Sequence, residues 1–253
     1  MTHFVNTTAD PKAVLTMMPF AHRGLHTNDQ VVPENSMLAF AQAIKKGYAI
    51  ELDVQLSADE KVIVFHDDDL LRMTGTNKKL AEMDWDHLKE LSLLDSSQRI
   101  PLFEDVLSLV AGQVPLLIEI KSRSRVGKLE KTLLNILKSY SGPFAIQSFN
   151  PFTVGYFKKM APEIMRGQLS GSFEGENLPL YQKLLLKYLL LNCVSSPHFI
   201  AYETGCLPDW LGKRLKRRHI LLLIWTVRSQ AEAEQLPDYI DNIIFELFTV
   251  RKA

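Results

Sequence analysis

Short apolar runs alternate with longer amphipathic segments along most of this 253-residue sequence. The runs are rich in β-branched and apolar residues, which predicts strands at 20–22, 48–54, 62–66, 116–121, 144–149, 164–169, 199–202, 220–227 and 242–246. The amphipathic segments are typical of helices and lie at 36–46, 103–112, 128–140, 151–160, 179–191, 207–216 and 230–236. Alternating strands and helices predict a parallel sheet in an α/β fold, and about eight repeats favour closure into a TIM (β/α)8 barrel over an open doubly wound sheet.

The interval 68–99 breaks this alternation. It is polar, contains Gly75 and Trp85, and has one short segment of helical character at 84–91. Because it follows the predicted strand that ends at His66, we expect a short insertion on the face where the strands end, which carries the active site of a barrel. The remainder shows no linker, so we predict one barrel domain over 1–253 with a small inserted subdomain at 68–99.

Charge and cysteine content narrow the class of partner. Lys and Arg together number 29, as do Asp and Glu, so no net field favours nucleic acid or an anionic membrane. Cys193 and Cys206 do not make a disulfide framework and are typical of free thiols in a cytosolic protein. No signal peptide is apparent, and no apolar run approaches the roughly 20 residues of a transmembrane helix. We expect a cytoplasmic protein with a small-molecule substrate and no stable membrane insertion.

Three acidic residues lie within apolar strand-like runs. Glu51 and Asp53 project on one face of their strand because successive side chains alternate. Two adjacent buried carboxylates repel each other, which a bound cation would relieve; a solvated edge strand is the alternative. Glu119 repeats the arrangement on another strand, with Lys121 on the same face. Oxygen ligands without sulfur or clustered histidines are typical of Mg2+ or Ca2+, so we predict a site for one of these ions.

Two histidines end further strand-like runs, at His22 and His66. Because histidine titrates near neutrality, such a pair can supply the acid and the base of a displacement at phosphorus. Arg23 offers a permanent planar charge to a phosphate oxygen, or makes a surface ion pair. Asn35 could cap the helix that follows it, and Glu34 could contact a metal or substrate or favour the helix N-terminus.

The Leu-rich segment 179–191 permits two interpretations. With Lys183 and Lys187 it could form an interfacial helix that reaches lipid substrates. We favour an amphipathic barrel helix packed on the core, because the segment is short and its charge is modest.

Several motifs occur in an order and spacing that resemble the glycerophosphodiester phosphodiesterase family, of the bacterial cytoplasmic type, over about residues 20 to 230. They are Ala21-His22-Arg23-Gly24, Pro33-Glu34-Asn35-Ser36, Glu51-Leu52-Asp53-Val54, Phe65-His66-Asp67, Leu70-Leu71-Arg72-Met73-Thr74, Ile118-Glu119-Ile120-Lys121, Gln147-Ser148-Phe149 and Trp225-Thr226-Val227. The resemblance implies a TIM barrel that hydrolyses glycerophosphodiesters to sn-glycerol 3-phosphate and an alcohol. The nucleophile could be water or the neighbouring glycerol hydroxyl.

The resemblance also implies roles for particular residues. One divalent cation is held by Glu51, Asp53 and Glu119, and His22 and His66 are the acid and base in an order that the sequence leaves open. By the same resemblance, Arg23 and Lys121 contact the phosphate, and Phe149 and Trp225 line the pocket around glycerol.

The chain departs from the family pattern near its end. Arg228 stands where the family usually has Asn, and Phe245-Glu246 stands where it has Thr-Asp before a Pro-containing turn. These changes affect the alcohol pocket and barrel closure. Two alternative functions therefore stay open: lysophospholipase D-like hydrolysis of a lipid diester or another phosphodiester, and a non-catalytic phosphodiester-binding barrel.

Overall fold

The computed structural model describes residues 12–29, 31–122 and 126–250. Its strands are β1 Phe20–Ala21, β2 Ala49–Leu56, β3 Val62–Val64, β4 Leu116–Ile120, β5 Phe144–Ser148, β6 Arg166–Ser170, β7 Phe199–Glu203, β8 Leu221–Val227 and β9 Asn242–Phe245. Its α-helices are α1 Ala13–Thr16, α2 Met37–Lys46, α3 Leu71–Thr74, α4 Trp85–Leu88, α5 Phe103–Val110, α6 Lys128–Leu137, α7 Pro151–Met160, α8 Leu180–Lys187, α9 Asn192–Ser195, α10 Asp209–Arg217 and α11 Gln230–Glu234. Each predicted strand is present within two residues of its predicted bounds.

Eight of the strands close into a parallel barrel in the order β1-β2-β4-β5-β6-β7-β8-β9. Closure occurs at β1, where Phe20 pairs with Ala49 of β2 and with Ile244 of β9. The predicted TIM barrel is confirmed, and β3 is an additional strand on the edge of β2 that the short β1 leaves free.

The direction of β3 differs from the expectation of parallel strands. β3 runs antiparallel to β2, with Val64 opposite Val54 and Val62 opposite Leu56. The connection between them is a tight turn in which the amide of Ser57 donates to the carbonyl of Lys61 at 3.0 Å. A turn this short can only return the chain antiparallel, since parallel neighbours need a long crossover. His66 is therefore carried back along β2 and reaches the acidic residues from the opposite direction.

Side chains of the barrel strands alternate between two apolar layers. The even-numbered residues of β2, Ile50, Leu52 and Val54, face the surrounding helices. The barrel interior has its own apolar layer, which includes Phe20, Ala49, Leu117, Ala145, Phe199, Ala201, Leu223 and Ile244, together with Val14 and Leu15 of α1. Continuing the inward positions toward the strand ends places Glu51 and Asp53 above this layer, so the site lies on an apolar floor.

Two segments sit outside the regular repeat. The interval 68–99 holds α3, α4 and one 3-10 turn around a small apolar cluster that includes Phe65, Leu70, Leu80, Leu88 and Leu93. Its interpretation as an inserted subdomain stays a prediction. Segment 179–191 packs on the core less fully than expected: none of the residues of α8 is buried, whereas Leu189 after it belongs to the core. The short α9 packs against α7 instead.

Candidate active site

The three predicted carboxylates meet at the mouth of the barrel. Glu51 and Asp53 share the inward face of β2, and the register of β4 sets Glu119 directly beside Asp53. All three are buried, and one oxygen from each lies within 4.8 Å of the others. Strand alternation and parallel register therefore suffice to assemble the cluster.

Two cations partly neutralise this cluster. Lys121 Nζ lies 3.0 Å from Glu119 Oε1 and 3.4 Å from Asp53 Oδ1. Arg23 Nε lies 3.5 Å from Asp53 Oδ2, and the Arg23 amide donates to Glu51 Oε2 at 3.0 Å. Burial would raise the pKa of Asp53, but Lys121 and its other positive neighbours outweigh burial and hold that pKa well below its usual range.

Glu51 has the opposite electrostatic environment. Burial raises the pKa of its carboxyl, and the charges of Asp53 and Glu119 raise it further, well above the usual range. Gln147 Nε2 lies 3.4 Å from Glu51 Oε1, while the buried Gln147 Oε1 has no hydrogen-bond donor. A cluster with surplus negative charge, hard oxygen donors and an unpartnered acceptor beside it fits a divalent cation.

His22 is held by a residue from the far end of the chain. Its Nδ1 lies 2.6 Å from Glu246 Oε2, and Arg228 Nε donates to Glu246 Oε1 at 2.8 Å. His26 Nε2 is 3.8 Å from the same carboxylate. Burial lowers the pKa of His22, although Glu246 opposes that shift. With Nδ1 bound to a carboxylate, Nε2 is the nitrogen left for the cleft.

His66 is held by its neighbour in sequence. Its Nδ1 lies 2.7 Å from Asp67 Oδ1, and Arg72 Nε donates to Asp67 Oδ2 at 2.6 Å. Arg72 also donates to both carboxylate oxygens of Glu34, at 2.7 and 3.0 Å, and Glu34 accepts from Arg23 Nη1 at 2.7 Å. Alternating charges thus connect His66 to Arg23. Glu34 thus bridges two arginines, a role that neither of its two interpretations from the sequence included.

Asn35 also has a different partner from the one expected. Ser36 caps α2, its Oγ accepting from the amide of Ala39 at 3.1 Å. Asn35 adopts a left-handed backbone with φ of 52°, and its Nδ2 donates to Asp53 Oδ2 at 2.8 Å. An N-cap needs extended backbone, so this conformation leaves the cap to Ser36 and directs the amide to the acidic cluster.

Several of these groups line one cleft of about 800 Å3. Its polar end contains His22, Arg23, Glu51, His66, Glu119 and Lys121. Phe149 and Trp225, the predicted pocket residues, form an adjoining wall with their ring centroids 5.6 Å apart. The predicted site residues therefore all line this cleft except Asp53, which is buried beside Glu119.

Sequence reasoning assigned no role to Glu246, Asp67 or Arg72. Asp67 and Arg72 lie within two of the quoted motifs, so their proximity to His66 was a usable signal. Glu246 was recognised only as a departure from the family pattern. Its inward position, one residue beyond β9, is the signal that could have placed it beside His22.

Comparisons with known proteins agree with this geometry. The model of the Glycerophosphoryl diester phosphodiesterase family matches residues 22–245, and the chain belongs to that family. It is thus a phosphoric diester hydrolase. A glycerophosphodiester phosphodiesterase of Caldanaerobacter subterraneus subsp. tengcongensis is 32% identical over 230 residues, which cover 85% of this chain and 88% of that protein.

Two further relatives resemble this chain in different ways, one in its fold and the other in part of its sequence. A phosphodiesterase of Oleispira antarctica, solved in complex with the product sn-glycerol-3-phosphate, superposes with a TM-score of 0.75 at 22% identity over 92% of this chain and 94% of that one, which shows the fold. A human lysophospholipase D is 34% identical over 121 residues, 43% of this chain and 38% of that protein. Within the described residues, no helix has the length and apolar character to cross a membrane.

Proposed function

We propose that this chain hydrolyses glycerophosphodiesters to sn-glycerol 3-phosphate and an alcohol, with His22 and His66 as its acid and base. One observation carries the proposal: both histidines engage a carboxylate through Nδ1 and line the same cleft, beside the acidic cluster. Such partners set the tautomer and ring orientation that proton transfer requires.

The acidic cluster is the proposed site for one divalent ion, Mg2+ or Ca2+, held by Glu51, Asp53 and Glu119. When bound, the ion supplies positive charge to a non-bridging phosphate oxygen. Arg23 and Lys121 line the same end of the cleft and carry permanent or strongly favoured charges. They are positioned to bind the remaining phosphate oxygens and so to orient the diester.

The two histidines then divide the proton transfers. One takes a proton from the attacking hydroxyl, of water or of the neighbouring glycerol carbon, as its oxygen bonds to phosphorus. The other gives a proton to the alcohol oxygen as its bond to phosphorus breaks. A cyclic phosphate formed by the glycerol hydroxyl would be opened by water, so the net reaction consumes one water on either route.

The test is product analysis with glycerophosphocholine in the presence of Mg2+ or Ca2+. We expect sn-glycerol 3-phosphate and choline from the wild type, and loss of turnover in His66→Ala and after exhaustive chelation. His87→Ala is the matched control, because His87 is exposed on α4 and away from the cleft. Binding without turnover in the wild type would instead support a non-catalytic phosphodiester-binding barrel.

The cytoplasmic location stays a prediction that fractionation of source cells tests.

The alternative substrate, a lipid diester, is supported by the apolar residues that line part of the cleft.

A further inference from the structure

Away from Glu51 and Glu119 the lining of the cleft is mostly apolar, although Glu176 and Gln182 also belong to it. The segment after β5 contributes Phe149 and Phe152, and the loop after β6 contributes Phe173 and Leu178. Helix α8 supplies the outer wall, and Leu191 closes it; the α8 residues are Tyr181, Gln182, Leu185 and Leu186. All the groups suited to phosphate lie at the opposite end, so this half of the cleft faces one of the two ester alcohols.

Helix α8 is held by its carbonyl end and leaves its apolar side chains unburied. Ser170 Oγ donates to the carbonyl of Leu186 at 3.0 Å, and Tyr202 Oη donates to that of Lys187 at 2.8 Å. Leu180 and Tyr181 are 73% and 61% exposed. Contiguous exposed apolar surface at the rim of a cleft is typical of a binding site for an apolar group.

Glycerol and small polar alcohols gain little binding free energy against such a wall, because their hydroxyl groups are already hydrogen-bonded to water. A hydrocarbon chain gains free energy for each methylene that leaves water. A volume of about 800 Å3 is at the upper part of the range of about 300 to 1,000 Å3 for drug-sized ligands, which leaves room beside the phosphodiester.

We propose that the apolar half of the cleft is a subsite for a hydrocarbon chain carried by one ester alcohol, so that single-chain glycerophosphodiester amphiphiles are preferred substrates. This inference rests on the proposed hydrolysis. The balance is unchanged: a P–O bond forms to the oxygen from water, the P–O bond to the alcohol breaks, and the alcohol oxygen takes the proton.

The experiment compares two homologous series, both kept below their critical micelle concentrations. One carries the chain on glycerol, as 1-acyl-sn-glycero-3-phosphocholines, and the other carries it on the leaving alcohol, as n-alkyl esters of glycerol 3-phosphate. In the series whose chain enters the subsite, kcat/KM rises about fourfold for each added methylene until the subsite is filled. The other series identifies which alcohol the subsite serves.

Variants of α8 locate the effect. In Leu185→Gln we expect the rise of kcat/KM with chain length to flatten, measured as the ratio of chain-bearing substrate to glycerophosphocholine. Leu185→Met keeps an apolar side chain of similar volume and retains the rise. Met160→Gln is the matched control, since Met160 is 53% exposed at the far end of α7 and lines no part of the cleft. Should Leu185→Gln not fold, Leu178→Gln tests the same wall.

Three outcomes overturn the subsite: kcat/KM independent of chain length in both series, an unchanged rise in Leu185→Gln, or a rise that begins only above the critical micelle concentration. The last would show surface adsorption through α8. Thermal-shift titration with alkylphosphocholines of increasing chain length separates this proposal from the hydrolysis. Midpoints that rise with chain length in a protein without turnover support the subsite and refute the catalytic role.

Discussion

The two histidines proposed as acid and base are held by the same kind of partner, a carboxylate, but the two carboxylates come from different parts of the chain. His66 contacts Asp67, the next residue, whereas His22 contacts Glu246, which is 224 positions away. Each carboxylate is in turn bound by an arginine, Arg72 or Arg228. One arrangement therefore depends on a local turn and the other on closure of the barrel.

The arrangements also differ in exposure and connection. The His22–Glu246 pair is the more buried, and the amide of His22 donates to the carbonyl of Phe245 at 2.8 Å, in the seam that closes the barrel. The His66 side is more open and continues through Arg72 and Glu34 to Arg23, the proposed phosphate ligand. We infer that the buried pair serves a rigid orientation and that the open pair couples its histidine to the substrate charge.

The largest effect should come from removing either histidine. We expect His22→Ala and His66→Ala each to lower kcat by about 10²- to 10⁴-fold, the usual contribution of a general acid or base. A glycerol 3-phosphate ester of p-nitrophenol distinguishes them, because its leaving group departs without protonation. The variant that lacks the acid should recover most of its rate on this substrate, and the variant that lacks the base should not. Equal losses on both substrates would contradict a division of roles.

The acidic cluster in the same cleft should bind a divalent cation independently of the two histidines. In the wild type we expect Mg2+ or Ca2+ to raise the unfolding temperature, since a ligand at 100 times its Kd stabilises by about 2.7 kcal/mol. Glu51→Gln should lose this response, while Asp67→Asn and Glu246→Gln keep it. Differential scanning calorimetry measures both cases.

Glu51→Gln should also change the thermal stability of the protein when no cation is bound. The folded state raises the pKa of Glu51 above its value in the unfolded chain. Ionisation of this carboxyl therefore destabilises the fold increasingly as the pH rises above the unfolded-state pKa. Glu51→Gln removes this cost and should unfold at a higher temperature than wild type in chelator at pH 7. A lower unfolding temperature in chelator would show that the carboxylate is stabilising by itself.

Replacing the carboxylate partners should have an intermediate effect that separates the two arrangements. We expect Glu246→Gln to lower kcat/KM by about 10- to 100-fold, and Asp67→Asn by less, because water can replace the partner at the more open site. Burial lowers the pKa of His22, Arg23 lowers it further, and Glu246 and Asp53 oppose these shifts. Loss of the Glu246 charge should therefore lower the pKa of His22 below its value in the wild type.

The pH dependence of kcat/KM reveals that change. The limb that belongs to His22 should move to lower pH in Glu246→Gln: the acidic limb if His22 is the base, the alkaline limb if it is the acid. A reduced rate with both limbs in place would mean that Glu246 orients His22 without tuning it. Glu246→Asp tests orientation alone, because it keeps the charge and shortens the reach.

These differences show what could be predicted from the sequence. The shared face of Glu51 and Asp53 was predictable because strand alternation is a local rule, and Glu119 was expected near them because parallel strands end at one edge of the sheet. The partner of His22 was not, because it depends on which strand closes the barrel and on the reach of Glu246. The antiparallel β3 was missed for a related reason: the apolar run 62–66 gives strand character but no direction, which the tight turn at Ser57 decides.

The smallest effect should come from the arginines, and it tests whether the open arrangement is truly the connected one. Arg228 makes one hydrogen bond to Glu246 and is 61% exposed, so Arg228→Ala should change kcat/KM by less than about fivefold, the range of surface ion pairs. Arg72 is 48% exposed but binds Asp67 and both oxygens of Glu34, so Arg72→Ala should cost about tenfold. Arg72→Lys should not restore the loss, since an ammonium cannot make the paired contacts. Equal effects of Arg72→Ala and Arg228→Ala at both low and high salt would remove the distinction between the two arrangements.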